Sequence, residues 1–167
     1  SDVYKRQGFD GVNIFNKDKR NLTNTAAKRE IDDSSAQGGT SGPTVAAYRK
    51  AVDIMGSTSD VDIQIMTIPG IRHASVTDFA IDAMENRFDS ILIMDIEERD
   101  GSNTVITSSA QDPHVGNTVT AFKNRALDSS FAAAYFPDVT IQDPDTGGLV
   151  SVPPSAVTLG AYLSLIH

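Results

Sequence analysis

The stretch NRFDSILIMDIEE, residues 86–98, places four consecutive apolar residues, Ile91 to Met94, between Ser90 and Asp95. A strand with one wet face alternates apolar and polar residues, whereas an unbroken run suits a strand covered on both faces, as in a parallel sheet. Upstream, Val76, Phe79, Ala80, Ala83 and Met84 fall on one face of a helix, and Ser75 with Asp78 three residues on reads as its capping box. Further upstream VDIQIMTI, residues 61–68, alternates Val61, Ile63 and Ile65 with Asp62 and Gln64 before Pro69-Gly70 closes it, which predicts a strand and a turn. Strand, helix and strand over 61–96 make a βαβ unit, expected to cross over right-handed. The fold class expected is therefore α/β, a mainly parallel sheet with flanking helices.

Both flanks extend this pattern. Val45, Tyr48, Val52 and Met55 recur at helical spacing after Pro43, which suits a first helical turn, and Gly56 ends the segment. Asp32 to Pro43 is rich in Gly, Ser and acid and reads as a loop, while residues 8–31 are polar apart from a short apolar clutch at Val12, Ile14 and Phe15. Downstream, a polar loop over 97–117 exceeds the usual loop length, which predicts an insertion, a partner contact or a mobile segment. Val119, Phe122 and Ala126 then mark a helix around Thr118 to Leu127, and FAAAYF, residues 131–136, a small-residue strand. VTIQ (139–142) and LVSV (149–152) are expected to pair as a C-terminal β-hairpin across DPDTGG. Pro153 and Pro154 stop it, and Ser155 is placed to cap a final helix through Ala161.

Two terminal stretches call for a different reading. DVYKRQ, residues 2–7, and LSLIH, residues 163–167, can be encoded by DNA strings that are reverse complements over their shared length. They resemble the mosaic-end adapter of transposase-based sequencing libraries, so residues 1–7 and 163–167 are expected to be scars, and the natural chain to continue past both. Removing Asp2, Lys5 and Arg6 moves the formal charge from -8 to -9. An acidic balance repels phosphate backbones and argues against direct nucleic-acid binding. The absence of Cys excludes disulfides and thiolate metal sites. No apolar run reaches the roughly 20 residues a membrane crossing needs, so membrane insertion is not expected.

Several patterns carry possible chemistry. The apolar run before Asp95 is superficially a Walker B strand, but no phosphate loop of the form G-x-x-x-x-G-K-[ST] accompanies it. Asp95, His114 and Ser155 follow the Asp, His, Ser order of subtilisin-type hydrolases, giving a triad look-alike. Against it, no Gly-Thr-Ser-like nucleophile turn surrounds Ser155, and the two prolines before it remove N–H groups that an oxyanion hole could use. Asp95, Glu97, Glu98, Asp100, Asp112 and His114 could gather around a hard cation, yet lack the spacing of any regular ligand loop. Asn21 heads an N-x-T acceptor pattern, which has no consequence without a secretory context. No cofactor and no metal is expected.

Five segments taken in order resemble contractile bacteriophage tail sheath proteins: QGGTSGPTVAAYRKAVDIM, VDIQIMTIPGI, NRFDSILIMDIEE, SSFAAAYFPDVTIQDP and VPPSAVTLGAY. The matching positions are Gly38, Gly39 and Gly42 before a helix, Pro69 and Gly70 after a strand, and Asp95 at a strand end. Tyr135 and Pro137, then Pro153, Pro154 and Ser155 before the last helix, complete the set. The resemblance covers residues 37–162, with 8–36 as the end of a preceding segment and a linker. It implies a subtilisin-like α/β domain without protease activity, incomplete at its C-terminus. It further implies a subunit that forms hexameric rings with its copies around the tail tube, meets the baseplate, is assembled in the host cytoplasm and resides in the virion tail. The chain departs from the family in stopping before the basic region and C-terminal domain that normally follow. The alternatives are a subtilisin-like or metal-assisted hydrolase using Asp95, His114 and Ser155, and a tail or baseplate adaptor built on the same domain.

Overall fold

The computed structural model describes residues 24–36, 38–107 and 111–164. The readings made for residues 1–23, including the N-terminal scar and Asn21, lie outside these, as do residues 165–167 of the C-terminal scar. Its helices are α1 (Asn24–Asp32), α2 (Pro43–Gly56), α3 (Ala74–Arg87), α4 (Val115–Asn124) and α5 (Pro154–Ser164). Its strands are β1 (Ile65–Thr67), β2 (Ile91–Asp95), β3 (Ala132–Tyr135), β4 (Val139–Gln142) and β5 (Leu149–Val152).

The chain is mixed α/β, built on a three-stranded parallel sheet ordered β1-β2-β3. The apolar run of β2 occupies the centre, where it is covered on both faces. Leu92 and Met94, with Ile96 beyond the strand, join Val52 of α2 and Ala80, Ile81 and Met84 of α3 in the main core, against which Phe122 of α4 also packs. Side chains of a strand alternate between faces, so Ile93 and Asp95 point the other way, where Ser155 of α5 meets Asp95. A second core cluster joins Ala27 of α1, Val45 of α2, Ile71 of the turn after β1 and Val76 of α3. β4 and β5 form a separate antiparallel pair with Val139 opposite Val152 and Ile141 opposite Val150.

Local chemistry shifts several expected boundaries. β1 is shorter than residues 61–68, because the carbonyls of its lead-in are taken by side chains. Arg87 donates to Val61 O at 2.9 Å and Ser90 Oγ to Ile63 O at 2.6 Å. Ser75 does not cap α3: His73 occupies the cap and its Nδ1 accepts from Ser75 N, while Asp78 pairs with Arg125 of the α4 end. Helix α4 starts at Val115 because His114 Nδ1 accepts from Asn117 N, and it ends at Asn124, before Ala126 turns to φ 50. Helix α1 arises within a stretch that looked like polar linker; only Ala26 and Ala27 of it are buried. Much of the 97–117 loop is a tight turn, with Arg99 bridged to Val105 and Asp100 Oδ1 accepting from Ser102 N and Thr104 N at 2.9 Å each. Two residues of the expected C-terminal scar, Leu163 and Ser164, complete the last turn of α5.

Candidate functional site

Several of the residues singled out by pattern, Gly70, Tyr135 and Ser155 among them, converge on Asp95. As the last residue of β2 it is completely buried, and its carboxyl oxygens accept three hydrogen bonds. Gly70 N donates to Oδ2 at 3.1 Å, Ser155 N to Oδ1 at 2.9 Å and Ser155 Oγ to Oδ2 at 2.8 Å. One side chain thus ties the turn after β1 to the first turn of α5.

The sequence around each partner explains the fit. Gly70 has φ 83, a conformation other residues adopt only under strain, and this aims its N–H at Asp95. A β-carbon added there would sit 3.8 Å from Pro153 Cγ, so the Pro-Gly turn lies directly against the double proline. Pro154 opens α5, where a missing N–H costs nothing, and Ser155 follows it inside the helix. Ser155 is therefore not the cap expected for α5; its side chain is committed to Asp95. Tyr135 stands opposite Asp95 in the β2–β3 register, and its hydroxyl meets that of Tyr162 at 3.1 Å, joining β3 to α5. Pro137 follows a cis peptide after Phe136. Gly38, Gly39 and Gly42 lie apart, in the turn before α2. There the Glu30 carboxylate accepts from Thr44 N and Val45 N at 3.0 Å, capping α2 from α1. A β-carbon on Gly42 would collide with the Glu30 side chain.

Of the triad look-alike, two members meet and the third goes elsewhere. His114 caps α4, donates its backbone N–H to Arg99 O at 2.7 Å, and belongs to the helix packed on the opposite face of the sheet. Ser155 is fully buried, and both its donors are consumed by Asp95. The pair is built as a structural clasp: the hydroxyl is buried away from any substrate carbonyl, and among the described residues no imidazole hydrogen-bonds to it to take its proton.

The acidic residues proposed as cation ligands are dispersed among protein partners. Glu97 accepts from Asn24 at 3.4 Å, Asp100 holds its own turn, and Glu98 faces Arg72 at 3.4 Å and accepts from Asp138 N at 3.2 Å. Among the described residues no group of three or more His, Asp or Glu is arranged to hold a metal. Arg72 also pairs with Asp138 at 2.6 Å, so Arg72, Glu98 and Asp138 link the segments that follow all three parallel strands. Burial, reinforced by Asp138, pushes the Glu98 carboxyl above its ordinary range, with Arg72 pulling the other way. These groups border a cavity of about 570 Å³ at the carboxyl ends of the strands. Sequence reasoning missed this trio because its members are 26 and 40 residues apart, with no spacing signal.

Comparison of the chain with protein-family models, with curated proteins and with solved structures finds no match. Among the described residues no helix is long and apolar enough to cross a membrane.

Proposed function

We propose that this chain is a structural, non-enzymatic subunit of a contractile bacteriophage tail sheath, with a subtilisin-like arrangement of its parallel sheet and helices. The observation that carries this reading is the Asp95 junction. Pro69-Gly70, Asp95, Tyr135 and Pro153-Pro154-Ser155 belong to four of the five segments that resemble the family, and they meet around one buried carboxyl group. A Ser next to an Asp that serves as a clasp fits a hydrolase-like fold used as a rigid block. The partners in this reading are neighbouring sheath subunits in hexameric rings, the tail tube and the baseplate. The site of action is the virion tail, after assembly in the host cytoplasm. The β4–β5 ribbon contributes shape, since a preformed surface loses little entropy on docking.

Assembly is the test. The chain, and the longer gene product in which the resemblance places it, are purified and examined by negative-stain microscopy and light scattering across a salt series. The longer product should polymerise into regular tubes, and the present chain alone should stay monomeric or aggregate irregularly. A net charge of -8 slows random association at low salt and permits more as salt screens it. A longer product that stays monomeric under every condition overturns the sheath reading. Ordered tubes from the present chain refute the need for the missing region.

A further inference from the structure

The cavity at the carboxyl ends of the parallel strands has a wall whose charges do not balance. Its volume of about 570 Å³ falls within the roughly 300–1,000 Å³ of small-ligand sites. Among the described residues that line it, Glu98, Asp112 and Asp138 are acidic and Arg72 is the one cation. Arg72 is already engaged: Nη2 donates to Asp138 Oδ1 at 2.6 Å, and Nη1 stands 3.4 Å from Glu98 Oε1. Glu98 Oε1 also accepts from Asp138 N at 3.2 Å. These contacts leave Glu98 Oε2, Asp138 Oδ2 and the whole Asp112 carboxylate without a hydrogen-bond donor among the described residues. Thr140 and Ser151, a cross-strand pair of the β4–β5 ribbon, add two hydroxyls to the wall.

Three classes of ligand can be weighed against that wall. An anion would meet three carboxylates and find the single guanidinium already paired. A metal ion needs several oxygens converging on one point, and among the described residues no group of three acidic or histidine side chains is so arranged. An organic cation brings N–H donors spread over its own width, so it can bond to acceptors that do not converge. The state of Glu98 points the same way. Burial and Asp138 both oppose its ionisation, and Arg72 offsets them only in part. A cation beside this pair relieves both effects, because it supplies donors in place of lost water and balances the Asp138 charge.

We propose that this cavity is a binding site for a guanidinium or primary ammonium group, with Asp112 and Asp138 as its charge partners and Glu98, Thr140 and Ser151 as further acceptors. The group arrives either on an arginine or lysine side chain of a protein partner or as a free amine. The chemistry at the wall is the same for both.

Amide NMR titrations of the full, isotope-labelled chain test this and distinguish the two sources. The probes are acetyl-Gly-Arg-Gly-amide, which presents the side chain on a peptide, and agmatine, a free amine. The citrulline analogue of the peptide is its neutral isostere, and inorganic phosphate is the anion control. Saturable shifts at Asp112, Asp138, Thr140 and Ser151 are expected with the arginine peptide or with agmatine. Whichever binds more tightly names the source, and equal affinity means that the cationic group alone is read. Asp112→Asn/Asp138→Asn should weaken binding by about tenfold or more, and Asp53→Asn, an equal charge change at an exposed position of α2, by less than about twofold. Asp112→Asn alone, whose carboxylate bonds to no described residue, keeps the test open should the double variant unfold, and should weaken binding by about threefold or more. Equal shifts with the citrulline peptide, a preference for phosphate, or no saturable shift up to about 20 mM of either cation overturns the proposal, as do Asp112 and Asp138 variants that bind as tightly as the parent. None of these measurements involves tube formation, so their outcome is separate from the sheath reading.

Discussion

Removing the Asp95 carboxyl should cost this fold more than any surface change, and its size follows from the bonds. Asp95→Ala strands the N–H groups of Gly70 and Ser155 and the Ser155 hydroxyl around a buried space. An unsatisfied buried donor costs about 1–3 kcal/mol, and water entering the space relieves part of this, so a net loss of about 3–5 kcal/mol is expected. That is a large share of the roughly 5–15 kcal/mol available to a typical domain. Ser155→Ala deletes a single hydroxyl bond and leaves both backbone donors in place, for about 1–2 kcal/mol. Asp95→Asn keeps the shape but turns an amide NH₂ towards groups that donate, and should fall between the two. Urea unfolding followed by far-ultraviolet circular dichroism measures all three, with the slope in denaturant unchanged if only stability has moved. The double variant should be less destabilised than the sum of the singles by about 1 kcal/mol, since both remove the same bond. Asp95→Ala within about 0.5 kcal/mol of the parent would show that the junction is incidental, because that is the range of ordinary surface substitutions. Labelling of Ser155 by a fluorophosphonate, or a Ser155-dependent hydrolytic activity, would refute the clasp directly.

Further outcomes follow from other contacts. Because burial raises the Glu98 carboxyl, the folded chain holds its proton more tightly than the unfolded chain; the associated stability is present below about pH 4.5 and declines as pH rises through the raised value. Glu98→Gln should therefore flatten the decline of stability as pH rises above about 4.5 and match or exceed the parent once the carboxyl has ionised; a deficit that grows with pH in urea midpoints would contradict this. Glu30→Ala removes the cap that α1 supplies to α2 and should cost about 0.5–2 kcal/mol in the same assay, with circular dichroism reporting the helix loss. Deleting residues 1–7 and 163–167 should move the thermal midpoint by less than about 5 °C, the scale of a 1 kcal/mol change. Leu163 is 54% exposed, so its loss uncovers little core. A larger fall counts against reading these ends as scars.

What was legible in the sequence was whatever a periodic apolar pattern encodes. The unbroken run of β2, the stripe of α2 and the Phe79, Ala80 and Met84 face of α3 all report burial against a neighbour, and burial is what selects those residues. Helix α1 was illegible because its buried contacts are two alanines and its main contribution is a carboxylate, Glu30, that accepts from the first-turn N–H groups of another helix. The cap of α3 was misread because His73, through Nδ1, does what a Ser or Asp commonly does, and a histidine there gives no statistical signal. At the candidate site, each participant stood out on its own, Gly70 after its proline, Asp95 at a strand end and Ser155 after two prolines. Their union spans separations of 25 and 60 residues, which the parallel topology creates and local pattern does not reveal.

The same topology explains why a triad-like order arises without a triad. A strand that ends in Asp at the centre of a parallel sheet delivers a carboxyl to the carboxyl edge, and the helix that returns to that edge brings its first-turn residues against it. Whether the pair becomes chemistry or structure depends on what remains free. A nucleophile needs a solvent path, a base in contact with its proton and N–H donors left over for the developing oxyanion. A joint needs the reverse, with each donor consumed and water kept out. Ser155 meets the second set of conditions: its hydroxyl and its N–H both end on Asp95, the residues before it are prolines without N–H groups, and the pair is fully buried. His114 meanwhile serves as a helix cap on the other face of the sheet, so no single rotamer change would assemble the catalytic set. Turning the clasp into a nucleophile would mean opening the β1–α5 contact itself, at the energetic cost set out for Asp95→Ala.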